Sequence, residues 1–172
     1  MKTIYTFALI ALIAALPLAA VEIPRAVPQF TVASYDGRVV SLDDLKGKVV
    51  VAMFFSTTCP HCQNASRAMG PIYEELKAQG LEVVGFALNE TGPSGLRAFA
   101  ANYGASYPMA VSSRAEFSRI SKLSMMARFY YPYLLFIDRE GNVREEHQGA
   151  ETAWFENLGP NFRSIVTKLL AE

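Results

Sequence analysis

Seven consecutive apolar residues, Val49-Val50-Val51-Ala52-Met53-Phe54-Phe55, lead almost directly into a pair of cysteines at Cys59 and Cys62. The run is too short for an ordinary helix, and its valines favour extended backbone. It has no polar residue at alternate positions, so neither side can face water. Such a strand belongs in the middle of a sheet covered on both faces. Leu81 to Leu88, apolar apart from Glu82, reads as a second buried strand.

Between the two runs, residues from about Pro60 to Gln79 predict a helix. Ala65, Met69, Ile72 and Leu76 recur at spacings of three and four and make one apolar face, and Gly80 ends the segment. Pro71 interrupts the helix interior and predicts a kink, because it cannot donate to the carbonyl of Arg67. Upstream, Phe30 to Ala33 and Arg38 to Ser41 form two short strands around Asp36-Gly37. Downstream, the pattern predicts a helix from Pro93 to Tyr103, a strand from Tyr107 to Val111 and helical or mixed structure from Arg114 to Ala127. Tyr133 to Ile137 and Val143 to His147 follow as a hairpin around Asp138-Arg139-Glu140-Gly141. The helical stripe Leu158, Phe162, Ile165 and Leu169 closes the chain, with Gly159-Pro160 expected to split it from a short helix around Trp154. Strand, helix, strand, helix and then a hairpin make a parallel crossover followed by antiparallel pairing. The fold class is therefore α/β, a mixed sheet with helices on both faces.

The N-terminus has a different character. Lys2 precedes an apolar run from Ile4 to Leu16, then Pro17 and Ala19-Ala20, which reads as a secretory signal peptide over residues 1–20. The alternative is an uncleaved anchor, since the run approaches the roughly 17 residues that can span a bilayer. Residues 21–27, with Pro24, read as a linker, and residues 28–172 as one domain, a size that supports a full core. Basic and acidic residues balance at 16 each, so nothing calls for nucleic acid or an anionic surface.

Both cysteines lie in Cys59-Pro60-His61-Cys62. A disulfide across two residues closes almost no loop, so it adds little stability, and the pair points to reactivity instead. Pro60 suits the first position of a helix, which puts Cys59 at the helix N-terminus. Free N–H groups and the helix dipole stabilise a thiolate there, and the thiolate is the nucleophile of disulfide exchange. Cys62 lies three residues on, on the same face, where it can attack a mixed disulfide formed at Cys59. His61 can add a positive charge that favours the thiolate, and its plainer reading is a solvent-facing residue of the first turn. A zinc site needs two further ligands, and the only other histidine is His147, read as an exposed residue of an edge strand. No cofactor is called for.

These residues resemble a known family. The segment from Val49 to Cys62 is similar to the core motif of TlpA/ResA-type thioredoxin-like thiol–disulfide oxidoreductases. So are Leu42-Asp43-Asp44-Leu45-Lys46-Gly47-Lys48, Leu81-Glu82-Val83-Val84-Gly85 and the segment from Tyr131 to Gly141. The likeness runs from about Phe30 to the end. It implies a thioredoxin fold with an added N-terminal β-hairpin. It also implies periplasmic or otherwise extracytoplasmic chemistry on thiol- or disulfide-containing exported proteins, with a membrane or periplasmic redox partner. The tetrapeptide Cys59-Pro60-His61-Cys62 is similar to that of DsbA. The resemblance further implies that Pro132 is a cis-proline facing the cysteines and that the backbone of Tyr131 pairs with substrate there. Taken alone, Pro132 merely interrupts the chain before a strand.

The chain also departs from the family pattern. Thr58 replaces the tryptophan common before the first cysteine. Met53 and Ala65 stand where relatives place a buried aspartate and a glutamate, and the helix proline comes late, at Pro71. Two other functions compete. One is a peroxiredoxin-like thiol peroxidase, although Ser56 stands where the Thr-x-x-Cys pattern of such enzymes has threonine. The other is a Cu(I) carrier using the two thiolates, which suit that soft ion.

Overall fold

The computed structural model describes residues 22–172, so the expected signal segment lies outside the described residues. A six-stranded mixed sheet forms the centre. Its strands are β1 (Arg25–Ala26), β4 (Val49–Phe55), β5 (Leu81–Ala87), β6 (Met109–Val111), β7 (Tyr133–Ile137) and β8 (Asn142–Gln148), in the order β1-β8-β7-β4-β5-β6. Strands β4, β5 and β6 are parallel, while β7 runs antiparallel to β4 and β8 antiparallel to β7. The expected hairpin, β2 (Thr31–Ala33) and β3 (Val39–Ser41), is a separate two-stranded sheet. Arg25–Ala26 joins the main sheet beside β8, within the segment read as linker.

The helices follow from the strand order. From β4 to β5 to β6 the chain steps in one direction across the sheet. Right-handed crossovers therefore place α1 (Pro60–Leu76) and α2 (Gly92–Tyr103) on the same face. The chain then returns to β7 across the opposite face through α3 (Arg114–Ser121). The short α4 (Thr152–Glu156) and α5 (Leu158–Leu170) complete the first face.

All of β4 is buried, as its apolar run requires. Val49, Val51, Met53 and Phe55 pack with α1, α2 and α5. Val50, Ala52 and Phe54 pack with α3 and with Phe30, Leu42 and Leu45 around the hairpin. Burying a Val, Phe or Met side chain stabilises by about 1.5–3 kcal/mol, so this strand anchors both half-cores.

Several boundaries differ from expectation. Helix α3 stops at Ser121 rather than Ala127, because Lys122 turns left-handed (φ 65°) and Ser118 Oγ donates to the Leu123 carbonyl at 2.6 Å. Beyond it, the Arg114 guanidinium holds the loop through the carbonyls of Met125 and Ala127. Strand β6 begins at Met109 rather than Tyr107, because Pro108 has no N–H to give a ladder; its carbonyl still accepts from Gly85 N at 2.8 Å. The final break falls at Asn157, and Gly159-Pro160 lie in the first turn of α5, where a proline costs no hydrogen bond.

His147 is not the exposed residue expected. It stacks on Trp154 with ring centroids 4.0 Å apart, and its Nδ1 lies 2.7 Å from Glu151 Oε2. The reason is α4, which folds back beside β8 and covers the ring.

Candidate active site

Strand β4 ends at Phe55, whose carbonyl accepts from Leu88 N at 2.9 Å and so ties the end of β4 to that of β5. The connection Ser56–Thr58 is then fixed from three sides. Asn89, just beyond β5, takes the N–H of Thr57 on Oδ1 (2.9 Å) and donates from Nδ2 to Thr57 Oγ1 (2.8 Å). Gln63 Nε2 donates to the Thr57 carbonyl at 3.1 Å. Cys59 N closes a turn onto the Ser56 carbonyl at 3.2 Å. An Asn side chain can mimic backbone in this way, and it holds the loop where main-chain pairing has ended.

Cys59 is the N-cap of α1, with extended dihedrals (φ −81°, ψ 118°), and Pro60 occupies the first helical turn. The Cys59 carbonyl accepts from Gln63 N at 3.1 Å, so its side chain sits beside the free N–H groups of the helix start. Both cysteines are free thiols. Cys59 is half-buried and Cys62 is fully buried. Burial pushes the Cys62 thiol far up, and the neighbouring Cys59 adds to this against the opposing pull of the Ser56 backbone. The two thiols are close enough for each to feel the other. One sulfur is therefore accessible at a positive helix end, while the other is held behind it in its neutral form.

The other expected residues fall around this pair. His61 is exposed on the first turn of α1 and lines a cleft of about 460 Å³ together with Asn64, Ala65, Phe155, Glu156 and Leu158. The Tyr131–Pro132 peptide bond is cis, and Pro132 is buried at the start of β7. Tyr131 is close enough to the cysteines for charge on Cys62, and to a lesser extent on Cys59, to raise its phenol, although burial is the larger cause. The main-chain N–H and C=O of Tyr131 make no hydrogen bond among the described residues. Gly149 lies against this segment. Its N–H donates to the Tyr130 carbonyl (3.2 Å), and a Cβ built on it would fall 2.0 Å from the Tyr131 oxygen.

A family model described as the AhpC/TSA family matches residues 23–146. The chain belongs to the AhpC/TSA family. Among relatives of this AhpC/TSA chain is the thiol-disulfide oxidoreductase ResA of Bacillus thuringiensis subsp. konkukian. It is 28% identical over 131 residues, which cover 76% of this chain and 72% of that protein. A thiol:disulfide interchange protein of the thioredoxin family from Chlorobium tepidum TLS superposes with a TM-score of 0.73 at 26% identity, over 88% of this chain and 99% of that one. The fold is accordingly a thioredoxin fold. The chloroplastic peroxiredoxin Q of Gentiana triflora is 39% identical over 83 residues, 48% of this chain and 37% of that protein.

Asn89, Gln63 and Gly149 were not singled out by the sequence. Nothing local marks Asn89, because its partner Thr57 is reached only when β4 and β5 pair, and Gln63 reaches the Thr57 carbonyl only once the chain turns from β4 into α1. Gly149 had a usable signal: it is a glycine directly after a strand, where close backbone approach is a standing reason for that residue. Among the described residues no three His, Cys, Asp or Glu side chains converge as a bound metal ion would require.

Proposed function

We propose that this AhpC/TSA-family thiol–disulfide oxidoreductase works outside the cytoplasm and exchanges its Cys59/Cys62 dithiol with disulfides of exported polypeptides. The observation that carries the proposal is the pairing of an accessible Cys59 at the start of α1 with a buried Cys62 thiol behind it. In the reducing direction, the Cys59 thiolate attacks a substrate disulfide. A mixed disulfide forms and the substrate's other sulfur leaves as a thiolate. Cys62 then gives up its proton and attacks the Cys59 sulfur, which releases the second substrate thiol and leaves Cys59–Cys62 oxidised. Two electrons pass to the substrate, and the same steps reversed oxidise a substrate dithiol.

The unpaired main chain of Tyr131 supports a role for Tyr131 and Pro132 in holding an extended substrate across the cysteines. Pro60 and His61 shape the helix start, and protonated His61 favours the Cys59 thiolate. Lys2 and the apolar run after it support export.

The test is a pair of substitutions. Cys59→Ser should abolish turnover of a disulfide substrate, and Cys62→Ser should accumulate mixed disulfides visible on non-reducing gels. Turnover retained by Cys59→Ser would refute the assignment. A second reading, thiol peroxidase, is favoured by the segment shared with peroxiredoxin Q, while Ser56 three residues before Cys59 departs from the threonine of that pattern. Stoichiometric sulfenic acid at Cys59 during rapid peroxide consumption would support it.

A further inference from the structure

His147 stands in β8 with a carboxylate at each ring nitrogen. Nδ1 lies 2.7 Å from Glu151 Oε2, and Nε2 lies 3.6 Å from Glu145 Oε2. A carboxylate can only accept, so Nδ1 carries a proton and donates to Glu151. In the neutral ring, Nε2 would then turn a lone pair toward Glu145. That nitrogen is buried and has no hydrogen-bond partner among the described residues. Trp154 stacks over the ring with the two planes 15° apart, and an indole face attracts a cation. Each of these three neighbours favours the imidazolium.

The same Glu151 carboxylate closes the turn that carries Gly149. Its Oε1 accepts from Gln148 N at 2.8 Å, and Glu151 N donates back to the Gln148 carbonyl at 2.9 Å. This turn is tied twice to the segment before β7. Tyr130 N donates to Gln148 Oε1 and Gly149 N donates to the Tyr130 carbonyl, both at 3.2 Å. We infer that His147 is a positioning residue for disulfide exchange with polypeptides: its imidazolium, set between Glu145 and Glu151, fixes the Gln148–Glu151 turn and through it the Tyr131 main chain that meets the substrate. The inference rests on the exchange reading above. Attraction between two charges adds to the His147–Glu151 hydrogen bond, so loss of the ring's charge loosens the turn. The Tyr131 segment is then less preorganised, and an extended substrate binds it more weakly.

The other charged and titratable groups around the ring do not reverse this balance. Glu146 of β8 and Tyr133 of β7 share a small hollow with His147 and Glu151. Glu146 is paired with the Arg25 guanidinium of β1, and burial, followed by Glu146, keeps the Tyr133 phenol protonated. Lys168 of α5 lines a second hollow with His147, Glu145 and Trp154 and opposes the imidazolium. That lysine is exposed, so water and salt screen it, whereas Glu151 touches the ring directly.

The test compares two disulfides reduced by the reduced protein in a single turnover. One is a fluorescent peptide disulfide long enough to pair with Tyr131, and the other is 5,5′-dithiobis(2-nitrobenzoic acid), which is too small to do so. Ionisation of Cys59 and of His61 changes both rates alike and divides out of their ratio. The titration midpoint of His147 is read from its ring C–H signals by NMR. The peptide-to-reagent rate ratio should fall roughly three- to tenfold as pH rises through that midpoint, as for weakening of one charged hydrogen bond. The amide signals of Tyr130 and Gly149 should move with the same midpoint. His147→Gln keeps a donor for Glu151 without a charge, so its ratio should stay flat at the high-pH level. Glu145→Gln removes an attracting charge, so the ring midpoint and the inflection of the ratio should both move down. A general loosening would lower the ratio at every pH and leave the inflection in place. An inflection retained by His147→Gln, a ratio that ignores the His147 midpoint, or an unmoved midpoint in Glu145→Gln would overturn the proposal. A peptide left unreduced at every pH, while the two amides still follow the ring, would instead overturn the exchange reading and leave the His147 contact with the turn standing.

Discussion

Gly149 illustrates how a residue with no reactive group can govern a reactive site. A methyl group at this position meets main chain, the Tyr131 oxygen at 2.0 Å and its carbonyl carbon at 2.7 Å, and main chain cannot rotate away as a side chain can. Gly149→Ala should therefore displace the Tyr131–Pro132 segment while the cysteines stay where α1 puts them. Misplacement on the scale of 1 Å can cost about a hundredfold in rate. The expected result is a loss of at least about tenfold toward a folded or peptide disulfide substrate, with the small reagent 5,5′-dithiobis(2-nitrobenzoic acid) much less affected. Equal losses toward both would show that the change reaches the cysteines themselves. The placement of Cys59 and Cys62 was legible in sequence because it is local: a strand, a turn, a proline and a helix bring both sulfurs together within fourteen residues. Gly149 and Asn89 were not, because each acts on a partner distant in sequence and brought near by the sheet.

At the scale of elements, the buried strands were the most legible part. Val49–Phe55 and Tyr133–Ile137 appear where their apolar runs stand. Ends were less legible, since Lys122, Pro108 and Asn157 stop or delay elements through single dihedrals or a missing N–H that periodicity does not register. Helix packing was not legible at all. Gly70 in α1 lies against the C-terminal end of α2, and a Cβ there would fall 2.2 Å from the Gly104 oxygen. Replacing a mid-helix glycine by alanine ordinarily stabilises by about 1 kcal/mol. Overpacking against backbone costs roughly 1–3 kcal/mol and should win here. Gly70→Ala is expected to lower the urea midpoint by about 1–2 kcal/mol of stability at unchanged slope. Ser113 is a simpler case. Its hydroxyl accepts from Glu116 N at 3.1 Å to cap α3, and Ser113→Ala should cost about 1 kcal/mol.

For the whole molecule, redox state and alkaline stability are coupled through the core. Cys62, Tyr73, Tyr107 and Tyr133 are all held above their ordinary values, in each case first by burial. Glu82 raises Tyr73 further, and Glu146 does the same for Tyr133. The fold thus favours the protonated form of each group. Their contribution to stability is complete below the unfolded values, about 8.5 for a thiol and about 10 for a phenol. It declines as pH rises from those values toward the folded ones. The phenols are present in both redox states, but a Cys62 thiol exists only in the reduced protein. Between about pH 8.5 and 10, the reduced form should therefore lose stability while the Cys59–Cys62 disulfide form holds nearly level, and above that both should fall. Urea midpoints of the two forms, measured at half-unit intervals from pH 7 to 11, test this directly. The gap between them should shift toward the oxidised form first at the thiol range. Parallel curves throughout would mean that Cys62 ionises as freely in the folded chain as in the unfolded one, and that its burial places no barrier before the resolving step.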